Sequence, residues 1–356
     1  MKTSFLIRVH LEQLERNTLS PYASFSDASK GRERSDKLCP IRPLFQHDRD
    51  RIVHSKAFRR LKDKTQVFLS PEGGHYRNRL THTLEVSQIA RTIARALGLN
   101  EQLAEAIAMG HDLGHTPFGH SGERALARLL PSGFRHEEQS LRVVELLARQ
   151  GRGLNLSFEV RDGIVKHSKG KGKLLKKEGL PATLEGQVVR LSDIIAYVNH
   201  DIDDAIGGGF IKERDIPCVG CLGKKTSERI NRLVIDVIQT SMDTLQAGDI
   251  RILLSDKASA AVEETREFLY KEVYDAPAIR REFEKAEAII KALFDHFRDN
   301  YDQLPRYYQP LVSPEPARNI ADFIASLTDS YAIALYRTLF IPERLPYPEL
   351  QHDDEK

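Results

Sequence analysis

Apolar residues recur at helical spacing along most of the chain, and the pattern predicts an all-α fold. Residues 5–16 suit a helix, after which SPYASFSDASKGR carries loop signals. Between Asp48 and Phe68, Ile52, Val53, Ala57, Phe58 and Leu61 form an apolar stripe, while Arg59, Arg60, Lys62 and Lys64 make a dense basic surface. A Gly-Gly turn then leads into a helix with Leu84, Ile89, Ile93 and Leu97 on its apolar face and Gly98 at its end. The next helix starts from an N-cap at Asn100, carries Glu101 in its first turn, and is stopped by Gly114 and Pro117. Ala104, Ala108, His111, Asp112 and His115 recur on one side of it, which puts His111 and Asp112 in the last turn and His115 and His120 on the loop beyond. His136 heads a further amphipathic helix. In residues 184–206, Val188, Leu191, Ile195, Val198 and Ile202 form a core stripe, and Asp193, Tyr197, His200, Asp201 and Asp204 line another face. Helices follow near residues 227–246, 256–270, 278–298 and 320–339, with proline-rich turns between 305 and 316.

The 356 residues contain no linker that separates obvious halves, so one continuous body with a terminal extension is expected. A net charge of +2 argues against wrapping along nucleic acid by bulk charge and turns attention to local patches. The clearest is the run Lys166 to Lys177, which reads either as a mobile solvated loop or as a contact for phosphate or single-stranded nucleic acid. No apolar run reaches membrane-spanning length, and the early FLI is interrupted by Arg8 and His10, so no membrane association is expected and a cytoplasmic location is. Cys39, Cys218 and Cys221 make no disulfide framework, which suits a reducing compartment, and the lone CxxC lacks the second pair that a structural zinc site needs.

The chemistry concentrates in AIAMGHDLGHTPFGHSGERAL, residues 106–126. A buried His-Asp pair is costly without a partner or a cation, although one such dipeptide alone also reads as a helix end with chance histidines. His82 alone could equally be a satisfied helix-start residue. The acidic strip of residues 184–206 calls for a cation too, with Asp193 innermost among apolar neighbours. Together, His82, His111, Asp112 and Asp193 can balance one divalent ion while leaving positions for water and a phosphate oxygen; without thiolate, the set suits Mn, Mg, Fe or Co as well as Zn.

RLTHTLEV, HDLGHTPFGHSGE and LSDIIAY together resemble the HD-domain phosphohydrolases, and more narrowly the deoxyguanosine triphosphate triphosphohydrolase-like family. DRDRIVHSKAFRRLKDKTQVF and ADFIASLTDSYAIALYRTLF extend that resemblance over about residues 21 to 342. It implies an N-terminal arm (1–45), an HD-domain catalytic core (46–210), a helical C-terminal region (211–345) and a polar tail (346–356), in a chain that forms a homo-oligomer. By the same resemblance, His82, His111, Asp112 and Asp193 bind the metal, His120 and Glu123 form a catalytic pair beside the α-phosphate with His115 and His136 close by, and Gln66, Arg79, Tyr197 and Asp201 touch sugar or phosphate. The implied reaction cleaves a deoxynucleoside triphosphate, dGTP or another dNTP, to deoxynucleoside and inorganic triphosphate. Two alternatives keep the same fold: a nucleotide phosphomonoesterase, and a nucleotide-sensing or nucleic-acid-binding protein of low turnover. Ser330 departs from the family pattern at a position where relatives often carry Arg, which bears on subunit or regulatory contacts more than on catalysis.

Overall fold

The structure, a computed structural model, describes residues 2–68, 76–168, 179–217, 222–309 and 315–342, and among these it contains helices and no strand. The lysine-rich run from Lys169 onward, the CxxC pair Cys218 and Cys221, the Gly-Gly turn before His75 and the polar tail lie outside the described residues. In chain order the principal helices are α1 (Lys2–Thr18), α2 (Leu44–Val53), α3 (Lys56–Arg60), α4 (Arg79–Ala96), α5 (Glu101–Gly110), α6 (His120–Leu129) and α7 (His136–Arg142). They continue with α8 (Phe158–Lys166), α9 (Leu184–Gly207), α10 (Thr226–Gln246), α11 (Asp256–Leu269), α12 (Pro277–Asp299), α13 (Pro316–Ala325) and α14 (Asp329–Phe340).

Helix α5 is the innermost element. Leu103, Ala104, Ala106, Ile107, Ala108 and Met109 are all buried, so most of the helix surface is core, and the partly buried Glu101, Gln102 and Glu105 leave one narrow polar edge. Its start is fixed by Asn100, whose side-chain oxygen accepts from the backbone N–H groups of Gln102 (3.1 Å) and Leu103 (3.3 Å). Small residues let neighbours approach: a Cβ on Gly110 would stand 2.5 Å from Ile164 Cδ1, and α2, α4, α8 and α9 pack around this helix. Thr183 caps α9 and Asn78 caps α4 in the same way, through Gly186 N (3.1 Å) and Thr81 N (2.9 Å). These caps fix where the two helices that carry Asp193 and His82 begin.

The main apolar cluster runs from Ala23 through α2, α4, α5, α8 and α9 into α10 and α11. A second cluster joins Leu126 of α6 to Ile290 and Phe294 of α12 and Ile320 and Ile324 of α13. The N-terminal segment lies on the body: Ser24 donates from its backbone (2.9 Å) and hydroxyl (3.0 Å) to Glu185, a buried carboxylate in the first turn of α9 that also takes Asn100 N (3.0 Å).

Three local expectations are corrected. His120 is the first residue of α6 and not a loop residue, because Gly119 at φ +56° turns the chain directly into that helix. Leu84 is 49% exposed; the buried face of α4 is instead His82, Val86, Ile89, Ala90 and Ile93, the set in register with the histidine. The Asp48–Phe68 stretch is no single stripe but α2, α3 and a 3-10 turn (Leu61–Asp63), and Lys64 is buried instead of lying on the basic surface with exposed Arg59 and Lys62.

Candidate active site

Three helices and one turn bring together side chains that are up to 111 residues apart. His82 comes from the first turn of α4 and Asp193 from the middle of α9, while His111 caps α5 and Asp112 stands in the turn beyond it, not in its last turn as expected, because the helix ends at Gly110. His82 Nε2 lies 3.0 Å from Asp193 Oδ1 and 3.9 Å from Asp112 Oδ2; His111 Nε2 lies 3.4 Å from Asp112 Oδ1 and 3.9 Å from Asp193 Oδ1. His82, His111 and Asp193 each offer a ligand atom within 4.8 Å of the others.

Ring orientation supports a metal at this position. His111 Nδ1 faces the Ala108 carbonyl at 2.6 Å and must donate to it, which leaves the Nε2 lone pair aimed into the cluster. That Nε2 is buried with no hydrogen-bond partner among the described residues. An unpartnered acceptor beside two carboxylates fits a divalent cation well and fits a packed core poorly.

The turn holding Asp112 is clasped from outside. Ser140 of α7 donates to the His111 carbonyl (2.6 Å) and accepts from Gly114 N (2.9 Å). A Cβ on Gly114 would stand 2.1 Å from Ser140 N, so only glycine allows this approach. Arg79 Nη1 donates to Asp112 Oδ2 at 2.7 Å, and its Nη2 reaches the Gln66 carbonyl at 3.3 Å. Burial raises the Asp112 carboxyl, but His111, His115 and Arg79 outweigh it and hold the group well below its ordinary range. Burial also opposes ionisation of Asp193, and the contact with His82 again wins, so its carboxyl sits below the ordinary value.

Beside this cluster runs a line of histidines. Glu123, from the first turn of α6, accepts from His120 Nδ1 through one oxygen (3.1 Å) and from His136 Nδ1 (3.0 Å) and His136 N (2.8 Å) through the other. Although burial works against its charge, the two histidine hydrogen bonds keep Glu123 ionised far below the usual carboxylate range. Burial likewise opposes a charged His136, and Glu123 overcomes it, so the His136 imidazole is raised. His115 stacks on His136 with ring centroids 3.9 Å apart and places Nε2 3.4 Å from Asp112 Oδ1. The His120 side chain is 62% exposed and stands at the outer end of the line.

The four residues expected at sugar or phosphate are spread around these groups. Gln66 is buried with Oε1 unpartnered among the described residues, next to the Arg79 contact. Arg79 is itself buried on Asp112. Tyr197 is one turn beyond Asp193 on α9, with the Arg266 guanidinium 5.8 Å from its ring centroid. Asp201, a further turn along, accepts from the Tyr274 hydroxyl, and burial pushes its carboxyl up to about 7.

Sequence reasoning missed two residues here. His167 follows the last turn of α8 with Nε2 3.9 Å from Asp112 Oδ1; its spacing from Val160 and Ile164, both buried, continues one helical face and was the available signal. Lys64 donates its ammonium to the His115 carbonyl and, at 2.8 Å, to that of Ala325. Burial, with Arg79 nearby, lowers its amine to about 7. Ser330, the departure from the family pattern, donates its exposed hydroxyl to Asp63. Arg59 and Arg60 line a separate cavity of about 1310 Å³ with Arg149 and Tyr307. Among the described residues no helix is long and apolar enough to cross a membrane.

Known families and relatives match this chain over most of its length. The HD domain family matches residues 79–198 and the phosphohydrolase-associated domain matches residues 252–338. A deoxyguanosinetriphosphate triphosphohydrolase-like protein of Caldanaerobacter subterraneus is 53% identical over 339 residues, covering 94% of this chain and 96% of that one. Proteins of the same description from Desulfatibacillum aliphaticivorans (50%, covering 94% and 98%) and Clostridium tetani (44%, covering 96% and 98%) are similar over nearly their whole length. With relatives this close spanning both chains almost end to end, the chain belongs to the deoxyguanosinetriphosphate triphosphohydrolase-like family of HD-domain proteins.

Proposed function

We propose that this protein is a metal-dependent hydrolase of deoxynucleoside triphosphates that releases deoxynucleoside and intact inorganic triphosphate. The observation that carries the reading is the adjacency of two differently built groups: a His-Asp cluster with a free imidazole lone pair, and a carboxylate, Glu123, held between two histidines. His82, His111, Asp112 and Asp193 would hold a divalent ion. When bound, such an ion supplies Lewis-acid stabilisation of phosphoryl charge and water acidic enough to attack at neutral pH.

The protein's own groups divide the remaining work. Glu123 fixes the Nδ1 proton of His120, which leaves His120 Nε2 on the exposed side, where it can exchange a proton with the leaving sugar oxygen. His136, tied to the other Glu123 oxygen, holds the carboxylate of that pair from its second side, and His115 stacks on His136. Arg79 orients Asp112 through a direct ion pair, and the same guanidinium adds positive charge close to where a phosphate would lie. Gln66, Tyr197 and Asp201 are assigned to the nucleoside side.

The test is turnover of each dNTP with Mn or Mg, singly and as a mixture, with product identification. Triphosphate and deoxynucleoside in equal amounts support the reading. Orthophosphate release from a monophosphate substrate would assign the site to a phosphomonoesterase, and tight binding without turnover would assign it to a sensor.

A further inference from the structure

The turn that delivers His120 to the start of α6 passes through two consecutive residues of positive φ, Phe118 at +62° and Gly119 at +56°. Glycine takes such a conformation freely, whereas phenylalanine takes it only where its surroundings outweigh the strain. A return of Phe118 to negative φ would swing everything downstream, beginning with His120. Whatever fixes Phe118 therefore also aims the His120 imidazole.

The turn is held from within and from outside. Within it, the Thr116 hydroxyl donates to the Gly119 carbonyl at 2.8 Å, and the Phe118 ring is buried in the second apolar cluster. From outside, Asp329 Oδ1 accepts from Phe118 N at 2.9 Å across 211 positions of sequence, and Asp329 Oδ2 accepts from Thr65 N at 2.9 Å. Thr65 precedes Gln66, and the two segments meet closely: a Cβ on Gly119 would stand 3.2 Å from the Gln66 carbonyl and 3.3 Å from Arg79 Nη2. Both groups facing Asp329 are N–H donors, so a carboxylate, which only accepts, satisfies the two at once. Asparagine of the same shape would accept one and turn its own NH2 group toward the other. Thr328, whose hydroxyl accepts from Tyr331 N at 3.3 Å, caps α14 and fixes the helix start that presents Asp329.

We propose that Asp329 is a positioning residue for the reaction: by holding Phe118 N and Thr65 N on its two oxygens, it keeps the Phe118–Gly119 turn at positive φ and so keeps His120 Nδ1 on Glu123, with Nε2 free to exchange a proton. The proposal rests on the assignment of His120 and Glu123 as the catalytic pair. Asp329 lies in α14, outside the HD-domain segment, so the C-terminal helices contribute to the chemistry through this one carboxylate. Its loss acts on the proton-transfer step, and kcat falls while KM and metal content stay as they are.

The experiment compares the full-length wild type with Asp329→Ala, Asp329→Asn, His120→Ala and the double variant Asp329→Ala/His120→Ala, in dGTP turnover with Mn, in metal content and in long-range proton–nitrogen correlation spectra of the histidine rings. Asp329→Ala should lower kcat by about 10–100-fold at unchanged KM and metal content, the scale of a small misplacement transmitted to a reacting group. Asp329→Asn, which keeps one of the two hydrogen bonds, should lose less. In the His120→Ala background, Asp329→Ala should cost nothing further, because it acts only through that imidazole. The His120 signal, identified by its absence from His120→Ala, should report a proton on Nδ1 in the wild type and a mixture of tautomers in Asp329→Ala. An Asp329 loss that multiplies in full onto that of His120→Ala overturns the proposal, as do loss of metal from both Asp329 variants and an unaltered His120 signal. Should Asp329→Ala fail to fold, Asp329→Asn carries the same comparisons. Wild-type turnover in His120→Ala alone would instead overturn the catalytic-pair reading, while the His120 spectra still decide whether Asp329 holds the ring.

Discussion

Lys64 donates its buried ammonium to the carbonyl of Ala325, 261 positions later in the chain and 2.8 Å away. The same ammonium reaches the carbonyl of His115, so one side chain ties the turn after α5 to the end of α13. Asp329, at the start of α14, adds two further ties, accepting from Thr65 N through one oxygen and from Phe118 N through the other, each at 2.9 Å. Phe118 sits at φ +62°, a conformation that a bulky residue adopts only when neighbours impose it. The C-terminal helices thus hold the backbone on which His115 and His120 are mounted.

The Lys64 contact predicts a pH dependence with a definite sign. Its amine falls from 10.5 to about 7 in the fold, so between those values the unfolded chain keeps a proton that the native protein has released. Stability from this group is therefore fully present above about 10.5 and is lost as pH falls through 7, a slope of about 1.4 kcal/mol per pH unit. Lys64→Met should lack that slope: urea unfolding of the two proteins at pH 7.5 and 9.5 should differ in pH response by roughly 3 kcal/mol at most. Parallel responses would show that the ammonium is not desolvated as its position indicates.

Removal of metal ligands should be unequal to removal of their neighbours. His111→Ala, Asp112→Ala and Asp193→Ala each delete a donor from a cluster with few to spare, and at least a ~100-fold loss of metal affinity is expected, with turnover abolished. Direct metal analysis after dialysis checks this, and stoichiometric metal in all three variants would sink the assignment.

How far the sequence revealed this site depends on whether local spacing carried the information. His111 and Asp193 were legible because the polar positions of their helical stretches can be read off, and both are buried or nearly so, whereas His82 was marked only by the motif resemblance, the apolar face of its helix having been read through Leu84. Asn100 was legible as a cap for the same local reason. Lys64 was not, since nothing near it in the chain announces that Ala325 and the His115 carbonyl will enclose its ammonium. Leu84 misled because a large apolar side chain two residues from His82 points to the opposite side of α4, and an exposed leucine costs too little to be excluded. His167 was hidden by the lysines that follow it, although its own turn still belongs to the apolar face of α8.

Glu123 offers the sharpest separation of binding from chemistry. Its carboxylate touches His120 and His136, and Glu123 is none of the four residues assigned to the metal. Glu123→Ala should retain that ion while kcat falls by roughly 10²–10⁴, the usual worth of a positioned acid or base. An unchanged kcat would remove the pair from the mechanism.

Asp201 should limit stability at neutral pH and above. Its carboxyl is raised from 3.8 to about 7 by burial, so the native state holds a proton that the unfolded chain has lost over that interval. The contribution is present in full below 3.8 and disappears as pH rises through 7. Asp201→Asn keeps an acceptor for the Tyr274 hydroxyl without the charge, and it should gain on the wild type between pH 4 and pH 8 by up to about 4 kcal/mol. Thermal unfolding across that range is the measurement; a constant difference would contradict the raised carboxyl.

Sugar discrimination tests the nucleoside side of the site. Gln66 presents a buried, unpartnered Oε1 beside Arg79, and Tyr197 presents a half-buried ring one helical turn from Asp193. If these two form the wall against the deoxyribose, a 2′-hydroxyl must either displace a packed ring or be buried against groups that cannot both accommodate it, so ribonucleotides should be poor substrates. GTP should be turned over at least ~10-fold less efficiently than dGTP in kcat/KM, a difference of about 1.4 kcal/mol in transition-state binding. Tyr197→Ala should narrow that ratio by opening the wall, while its metal content stays unchanged because the ring holds no ligand atom of the cluster. Equal kcat/KM for GTP and dGTP in the wild type would place the sugar elsewhere and free Gln66 and Tyr197 from this role.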